Sequence, residues 1–444
     1  MSLGGESRKI VQLAFPLVIG QVSQMLLGVA DTLMLGRLGV TALAVLTFTN
    51  SLFYLPFVFG IGVLTAVSVF TSIARGGEER ADARASCRNG LYLGAVLGGV
   101  LFVLSYGLSF FLDRFQQPSE VIEQSRAFFR IIMFSMIPAL MSMALKSHSD
   151  AMDRPWPGFW IFFLGVLLNI FLNWVLIFGN LGVVAMGIEG AAWATLISRT
   201  LILLAMFVWF ANSRKLKEWI PYRWVRKPDW GVIRGLWAVG FPASIQMVCE
   251  VAAFSVSGLL MGRFGETAMA SHQIALMCAS TAFMVPLGLS LALSVRVGEV
   301  AGMKEEERLR AISLSGWLIG GGWALTSALV FLTGGPWLVS FFSQEPKVVQ
   351  LAVQILVVVG FFQLVDSLQV ISAAILRALH DVRVPAMIGF VSYWIVGMPA
   401  AVLLSFSAGM GPIGIWGGLA LGLAVACLTL TNRVWKRVSV FRPA

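Results

Sequence analysis

Charge is scarce in this sequence. Of 444 residues, 12% are Asp, Glu, Lys or Arg, whereas 58% are hydrophobic. A soluble domain carries about 25% charged residues, so the chain lacks the polar coat that would keep it in water. Histidine (3) and cysteine (4) are scarce as well. Cys87, Cys249, Cys278 and Cys427 form no CxxC pair, and His148, His272 and His380 share no ligand spacing, which argues against a disulfide framework and a conventional metal site. The sequence contains no GxxxxGK[ST] phosphate loop, HExxH helix or GxSxG elbow. No polar segment is large enough for a catalytic domain. These absences point away from an enzyme, from a bound cofactor and from direct use of ATP.

What the chain does have is apolar sequence in long runs. A helix crossing the ~30 Å hydrocarbon core needs about 20 mostly apolar residues. Twelve runs meet that length, at roughly 9–35, 42–74, 87–112, 120–147, 156–179, 185–211, 232–262, 267–298, 311–334, 347–376, 382–407 and 412–434. They are continuous rather than alternating, which excludes a β-barrel. The first follows Arg8 and Lys9 and is too long for a signal segment, so it is expected to be a retained helix. Lys and Arg number 32 against 22 Asp and Glu, a net charge of +10. In a soluble protein that excess would suggest nucleic acid. Here the basic residues gather at 75–88, 214–227, 304–310, 377–383 and 433–442, alternate breaks of the pattern, which predicts that both termini are cytoplasmic. No nucleic-acid partner is implied.

The chain also repeats itself. Phe15-Pro16 returns as Phe241-Pro242, Gly36-Arg37-Leu38-Gly39 as Gly262-Arg263-Phe264-Gly265, and Thr41-Ala42-Leu43-Ala44 as Thr267-Ala268-Met269-Ala270, all at one separation. With six runs in each half, the repeats are parallel, a design used by transporters with the substrate path between the halves. The expected fold is an all-α integral membrane protein of twelve transmembrane helices in two pseudo-symmetric six-helix lobes. The expected boundaries are 1–212 for the first lobe, 213–230 for a basic cytoplasmic linker, and 231–444 for the second lobe with its short basic tail.

Polar residues inside the runs then carry the chemistry. Glu250 and Asp366 stand in apolar windows without a basic residue, where a carboxylate costs ~2.5–3.5 kcal/mol on insertion scales. Either a proton, a cation or a partner neutralises each acid, or the neutral acid serves as interhelical packing. Gln246 precedes Glu250 by four residues and Gln363 precedes Asp366 by three, so each pair shares a helix face. Asp31 lies toward the end of the first run and reads equally as a site residue or as an interfacial one. Asn169 and Asn173 share a face of the fifth run; interhelical hydrogen bonding explains them as simply as a site does. Thr195, in the sixth run, ordinarily bonds its own preceding carbonyl. Pro16 and Pro242 sit in long runs, as hinges or as fixed kinks. The 32 Phe, 15 Trp and 19 Met supply lipid-facing and packing surface, with some suited to an adaptable apolar pocket.

In this setting the sequence resembles the multidrug and toxic compound extrusion (MATE) family, in its bacterial NorM-like branch, from Lys9 to about Arg437. The marks are Phe15-Pro16, Ala30-Asp31-Thr32 with Gly36–Gly39, Leu168-Asn169 with Asn173, and Gly187–Thr195 in the first half. In the second they are Phe241-Pro242 with Glu250, Gln363 with Asp366, Leu376-Arg377 with Asp381-Val382-Arg383 and Pro385, and Gly411–Leu419. The resemblance implies a V of two lobes that opens alternately to each side and exports cationic lipophilic drugs and dyes in exchange for Na⁺ or H⁺. It implies a cation site at Glu250 and Asp366, with Asp31 as a third cation-binding acid, and a first-lobe polar cluster of Asn169, Asn173 and Thr195 around Asp31. It also implies a monomer in the bacterial inner membrane, among its lipids. Phe362 stands where some NorM-like members carry a tyrosine, and Asn173 where some carry a second acid, so the choice between Na⁺ and H⁺ stays open. Rival readings are a lipid-linked oligosaccharide flippase of the same superfamily, which calls for a cationic cavity, and, from another class, a membrane-embedded transferase. A channel is disfavoured because no pore ring or filter is visible.

Overall fold

The structure, a computed structural model, describes residues 3–440. Arg442, at the end of the basic tail, lies outside the described residues. Long apolar runs in hydrocarbon must satisfy their backbone groups internally, and the helix does this within one segment. Twelve helices are long and apolar enough to cross a membrane. In the first half they are α1 (Leu3–Gly36), α2 (Val40–Gly76), α3 (Arg80–Leu108), α4 (Ser119–Ala151), α5 (Pro155–Phe178) and α6 (Gly187–Asn212). In the second they are α7 (Trp230–Phe264), α8 (Glu266–Met303), α9 (Glu307–Ser340), α10 (Pro346–Ala378), α11 (Arg383–Ser407) and α12 (Pro412–Val438). Each matches one expected run, and no strand occurs among the described residues.

The repeated motif has a backbone cause. Gly39 and Gly265, the last residues of the two GRxG copies, precede α2 and α8 with φ of 121° and 89°. A side chain there would be strained, so both halves place glycine where a short reversal joins two long helices. Pro16 and Pro242 lie within α1 and α7, and both helices run on past them.

Contacts divide the chain into two compact units. One comprises Ile19–Ser244; the other joins the chain up to Val18 with the chain from Ile245 onward. Compared with the boundaries expected from sequence, the start of α1 and residues 213–244 change membership. Each exchange falls two residues beyond the repeated proline. The causes are local. A Cβ on Gly288 of α8 would meet the Val18 backbone at 2.7–2.8 Å, and one on Gly62 of α2 would meet Ser244 Cα at 2.5 Å. The basic stretch after α6 folds onto its own unit. Leu216 and Ile220 pack with Ala74, Cys87, Met206 and Phe210, and Tyr92 donates its hydroxyl hydrogen to the Trp224 carbonyl at 2.6 Å.

The first turn of α1 is fastened by charge. Glu6 is fully buried and accepts hydrogen bonds from Arg296 of α8 at 2.9 Å and from Arg308 of α9 at 2.8 and 3.1 Å. Arg296 also pairs with Glu299, and Arg308 with Glu305. In the same unit Asp381, from the LRxxxD motif, receives both Nε (2.8 Å) and Nη2 (2.9 Å) of Arg433, with Arg437 Nε at 3.0 Å. Those bonds tie the α10–α11 turn to α12, a fastening role for that motif. Glu6→Gln should lower thermal stability in detergent micelles by about 2 kcal/mol, below the full loss for a buried pair because each arginine keeps a second glutamate. Glu305→Gln, at a half-exposed member, should cost less than about 1 kcal/mol. Equal melting shifts for the two variants would contradict this account of the cage.

Candidate functional site

Polar side chains gather at two places, one in each unit. In the Ile19–Ser244 unit, the helical spacing of Asn169 and Asn173 puts both amides on one face of α5, and both are buried. Asn173 Nδ2 donates to Asp31 Oδ1 of α1 at 2.6 Å and to Asn169 Oδ1 at 3.0 Å. Asn169 stands 3.3 Å from the Thr195 hydroxyl of α6. With its amide turned over, Asn169 donates to Asp31 Oδ1 across 3.2 Å and accepts from Thr195. The Thr195 hydroxyl is also bound to the Ala191 carbonyl at 3.0 Å, the back-bond expected from sequence. The structure therefore brings Asp31, Asn169, Asn173 and Thr195 together.

Sequence reasoning missed a fifth member. Arg199, one turn beyond Thr195 on α6, is within electrostatic range of Asp31. Its Nη1 donates to Ser135 Oγ at 2.7 Å, and its guanidinium lies 5.1 and 5.2 Å from the ring centroids of Phe53 and Phe57. An arginine in mid-run was the available signal, by the argument that singled out the buried acids. Asp31 thus has a cation and amide donors around it.

The second place is in the other unit, where α7, α10 and α11 meet. Asp366 is buried and Glu250 half-buried, and the two carboxylates are close enough to repel. Asp366 Oδ1 has no hydrogen-bond partner, nor does Gln363 Oε1, although Gln363 Nε2 donates to the Ala279 carbonyl at 3.0 Å. Gln246 is buried, and its aliphatic stem packs on α11 at Gly389; no hydrogen bond joins it to Glu250. Phe362 does not face the acids with a polar atom. It packs its ring against Phe254 and Trp416, with centroids 5.8 and 5.6 Å away. The Trp416 indole in turn donates to His272 Nδ1 at 3.1 Å.

Tyr393 of α11 was not anticipated. It is fully buried and carries its hydroxyl toward Glu250, with Asp366 also in electrostatic range. The geometry falls short of a full hydrogen bond, so the hydroxyl has no partner. Nothing in the sequence around Tyr393 flags it, because α11 contains no acid. Among the described residues no group of three His, Cys, Asp or Glu side chains could hold a metal ion. The chemistry available here is that of a few oxygen atoms in a desolvated setting, suited to a proton or a hard monovalent cation rather than a transition metal.

Twelve apolar helices in two similar halves, with acids inside the spans, are the architecture of a membrane transporter. The sequence matches the MatE family over residues 16–175 and 242–403, and the chain belongs to that family, the multidrug and toxic compound extrusion transporters. The "Probable multidrug resistance protein NorM" of Mesorhizobium japonicum is 33% identical to it across 99% of this chain and 95% of its own length. The "Multidrug resistance protein MdtK" of Yersinia pseudotuberculosis is 29% identical across 97% and 95%. The fold matches the crystal structure of the eukaryotic MATE transporter AtDTX14 with a TM-score of 0.89, 20% identity and coverage of 99% and 98%. It matches the Vibrio cholerae MATE transporter VcmN in its bent form with a TM-score of 0.88, 20% identity and coverage of 99% and 98%.

The two amides are not equivalent to the threonine in what they hold. Asn173→Leu removes the shortest donor to a half-buried carboxylate and should lower thermal stability in detergent by about 1–3 kcal/mol. Thr195→Val, which removes mainly a bond to its own helix, should cost under about 1 kcal/mol. Melting curves of the purified variants test this. A harmless Asn173→Leu would mean that Asp31 does not depend on that amide.

Proposed function

We propose that this protein is a secondary antiporter that exports cationic lipophilic drugs and dyes in exchange for Na⁺ or H⁺, with Glu250 and Asp366 as the coupling acids. The observation that carries this reading is a pair of mutually repelling carboxylates inside membrane-spanning helices, with Asp366 Oδ1 unpartnered. Among the described residues no cationic side chain bonds either one. Such a pair is stable when it holds a cation and unstable without one, and that difference is what coupling requires. The Asp31–Asn169–Asn173–Thr195 cluster, with Arg199 beside it, is already balanced by its own donors. It serves as a second polar locus, where drug or a second proton competes for Asp31. A flippase for anionic headgroups would need an uncompensated cationic site, and Arg199 has Asp31 as counter-charge.

On this reading the two six-helix lobes rearrange in alternating access, with Pro16 and Pro242, each two residues before a change of compact unit, absorbing the bend. The protein works as a monomer among the lipids of the bacterial inner membrane, with both termini cytoplasmic. Energetics set a condition on the exchange. A monovalent drug swapped for one cation moves no net charge, so the membrane potential, about 2.3 kcal/mol per charge per 100 mV, contributes only when more than one cation enters. A tenfold cation gradient alone supplies about 1.4 kcal/mol per ion.

Dye efflux should be followed in vesicles under imposed Na⁺ or proton gradients at zero potential. Wild type should respond to at least one gradient. Glu250→Gln and Asp366→Asn should each reduce gradient-driven efflux by about tenfold or more. Full coupled activity in both variants, or efflux indifferent to either gradient in wild type, would overturn the assignment.

A further inference from the structure

The buried phenol of Tyr393 calls for an explanation. Buried tyrosine hydroxyls ordinarily find a partner, yet this one has none, and neither do Asp366 Oδ1 and Gln363 Oε1. Tyr393 and Asp366 both stand within electrostatic range of Glu250, and the neighbouring Trp394 indole donates to the Cys249 carbonyl at 3.3 Å, which fastens this part of α11 to α7 beside Glu250. Gln363 lies one turn before Asp366 on α10. Carboxylate and amide oxygens gathered with a single phenol O–H, and with no basic side chain bonded to them among the described residues, describe a site short of positive charge. We propose that the Tyr393 hydroxyl is the third oxygen of the cation site formed with Glu250 and Asp366. The proposal rests on the reading of those acids as the coupling pair.

The backbone of α11 supports a built position. Residues Val391–Gly397 form a π turn, in which the Met398 N–H donates to the Tyr393 carbonyl five residues back. A π turn admits one extra residue, so side chains on its two sides are rotated by about 100° relative to a regular helix. Such turns are costly and recur at functional sites. This one is fixed by the close approach of α11 to α12. A Cβ on Gly422 would overlap the Ser392 carbonyl and stand 2.8 Å from Gly397 Cα, and one on Gly418 would overlap the Ala401 backbone. The sequence thus spends two glycines of α12 on holding the distorted turn that carries Tyr393.

The chemistry follows from the hydroxyl's two faces. Toward a sodium ion it offers a lone pair, adding a neutral ligand to two carboxylates. Toward a protonated acid it accepts a hydrogen bond from the carboxyl O–H, and toward the ionised acid it donates one. Removal of the hydroxyl therefore weakens sodium retention, whereas for a proton the loss of a donor to the ionised acid strengthens retention; neither change alters the apolar walls of the site.

The test uses the full-length protein in proteoliposomes loaded with ethidium, comparing wild type, Tyr393→Phe and Glu250→Gln. One arm varies Na⁺ at constant pH; the other varies pH without Na⁺. Tyr393→Phe should raise the half-saturating Na⁺ concentration by about tenfold in the first arm or, in the second, shift half-saturation to a lower proton concentration, while the maximal rate and the ethidium affinity of the purified protein stay close to wild type. The arm in which the shift appears identifies the cation. Wild-type half-saturation of Tyr393→Phe in both arms, with Glu250→Gln uncoupled, would overturn the role of Tyr393 and leave the acids in place. A fall in maximal rate and ethidium affinity without a half-saturation shift would also overturn it, as a packing effect. If Glu250→Gln too behaves as wild type, the coupling pair itself is wrong and the inference falls with it.

Discussion

A carboxylate inside hydrocarbon persists only with a counter-charge, a proton or a set of hydrogen-bond donors, and this protein meets the condition in three ways. Glu6 is caged by two arginines. Asp31 has the Asn173 amide at 2.6 Å and the Arg199 guanidinium nearby. Glu250 and Asp366 have each other, a phenol and an unpartnered amide oxygen. In the first two the charge of the acid is met by a cationic side chain of the protein. In the third no basic side chain bonds either acid among the described residues, and the deficit is of positive charge. The remainder of the functional account depends on that contrast.

It also gives the pseudo-symmetry a meaning. The halves share their turns, with glycine at the same strained backbone position, and their prolines at the same position of the repeat. They differ in what they do with acids. At the place in α7 equivalent to Asp31 stands Ser257, whose hydroxyl simply bonds the Ala253 carbonyl at 2.8 Å. The duplicated scaffold therefore carries one polar cluster whose acid is met by donors of the protein and one that, on the proposed reading, is completed by a cation. The start of α1 belongs to a different compact unit from the rest of that helix, and so does the start of α7. Only the first is held by a charge cage: Val232 occupies the position equivalent to Glu6.

Much of this was legible in the sequence for simple reasons. In hydrocarbon, composition and length almost dictate structure, so all twelve helices could be read from apolar runs and short polar breaks. The grouping of Asp31, Asn169, Asn173 and Thr195 was legible only through resemblance, because contacts between three helices leave no periodic trace. Arg199 could have been found by asking of basic residues what was asked of acids. Tyr393 could not. Its position depends on a π turn set by glycines on a neighbouring helix, a tertiary effect that overrides the local helical period. The unit membership of the starts of α1 and α7 was hidden for the same reason, since Glu6 meets Arg296 and Arg308 across some 290 and 302 residues of chain.

The central claim is that cation and drug movements are obligatorily linked through the acids of α7 and α10. Linkage is reciprocal, so the most direct measurement runs the exchange backwards. Purified protein in proteoliposomes is given a steep ethidium gradient with Na⁺ and pH equal on both sides, and cation movement is recorded with an ion-sensitive dye. The account predicts that ethidium flowing down its gradient drives Na⁺ or H⁺ the opposite way, against a gradient that then builds. Ethidium flux with no accompanying movement of either cation would contradict it.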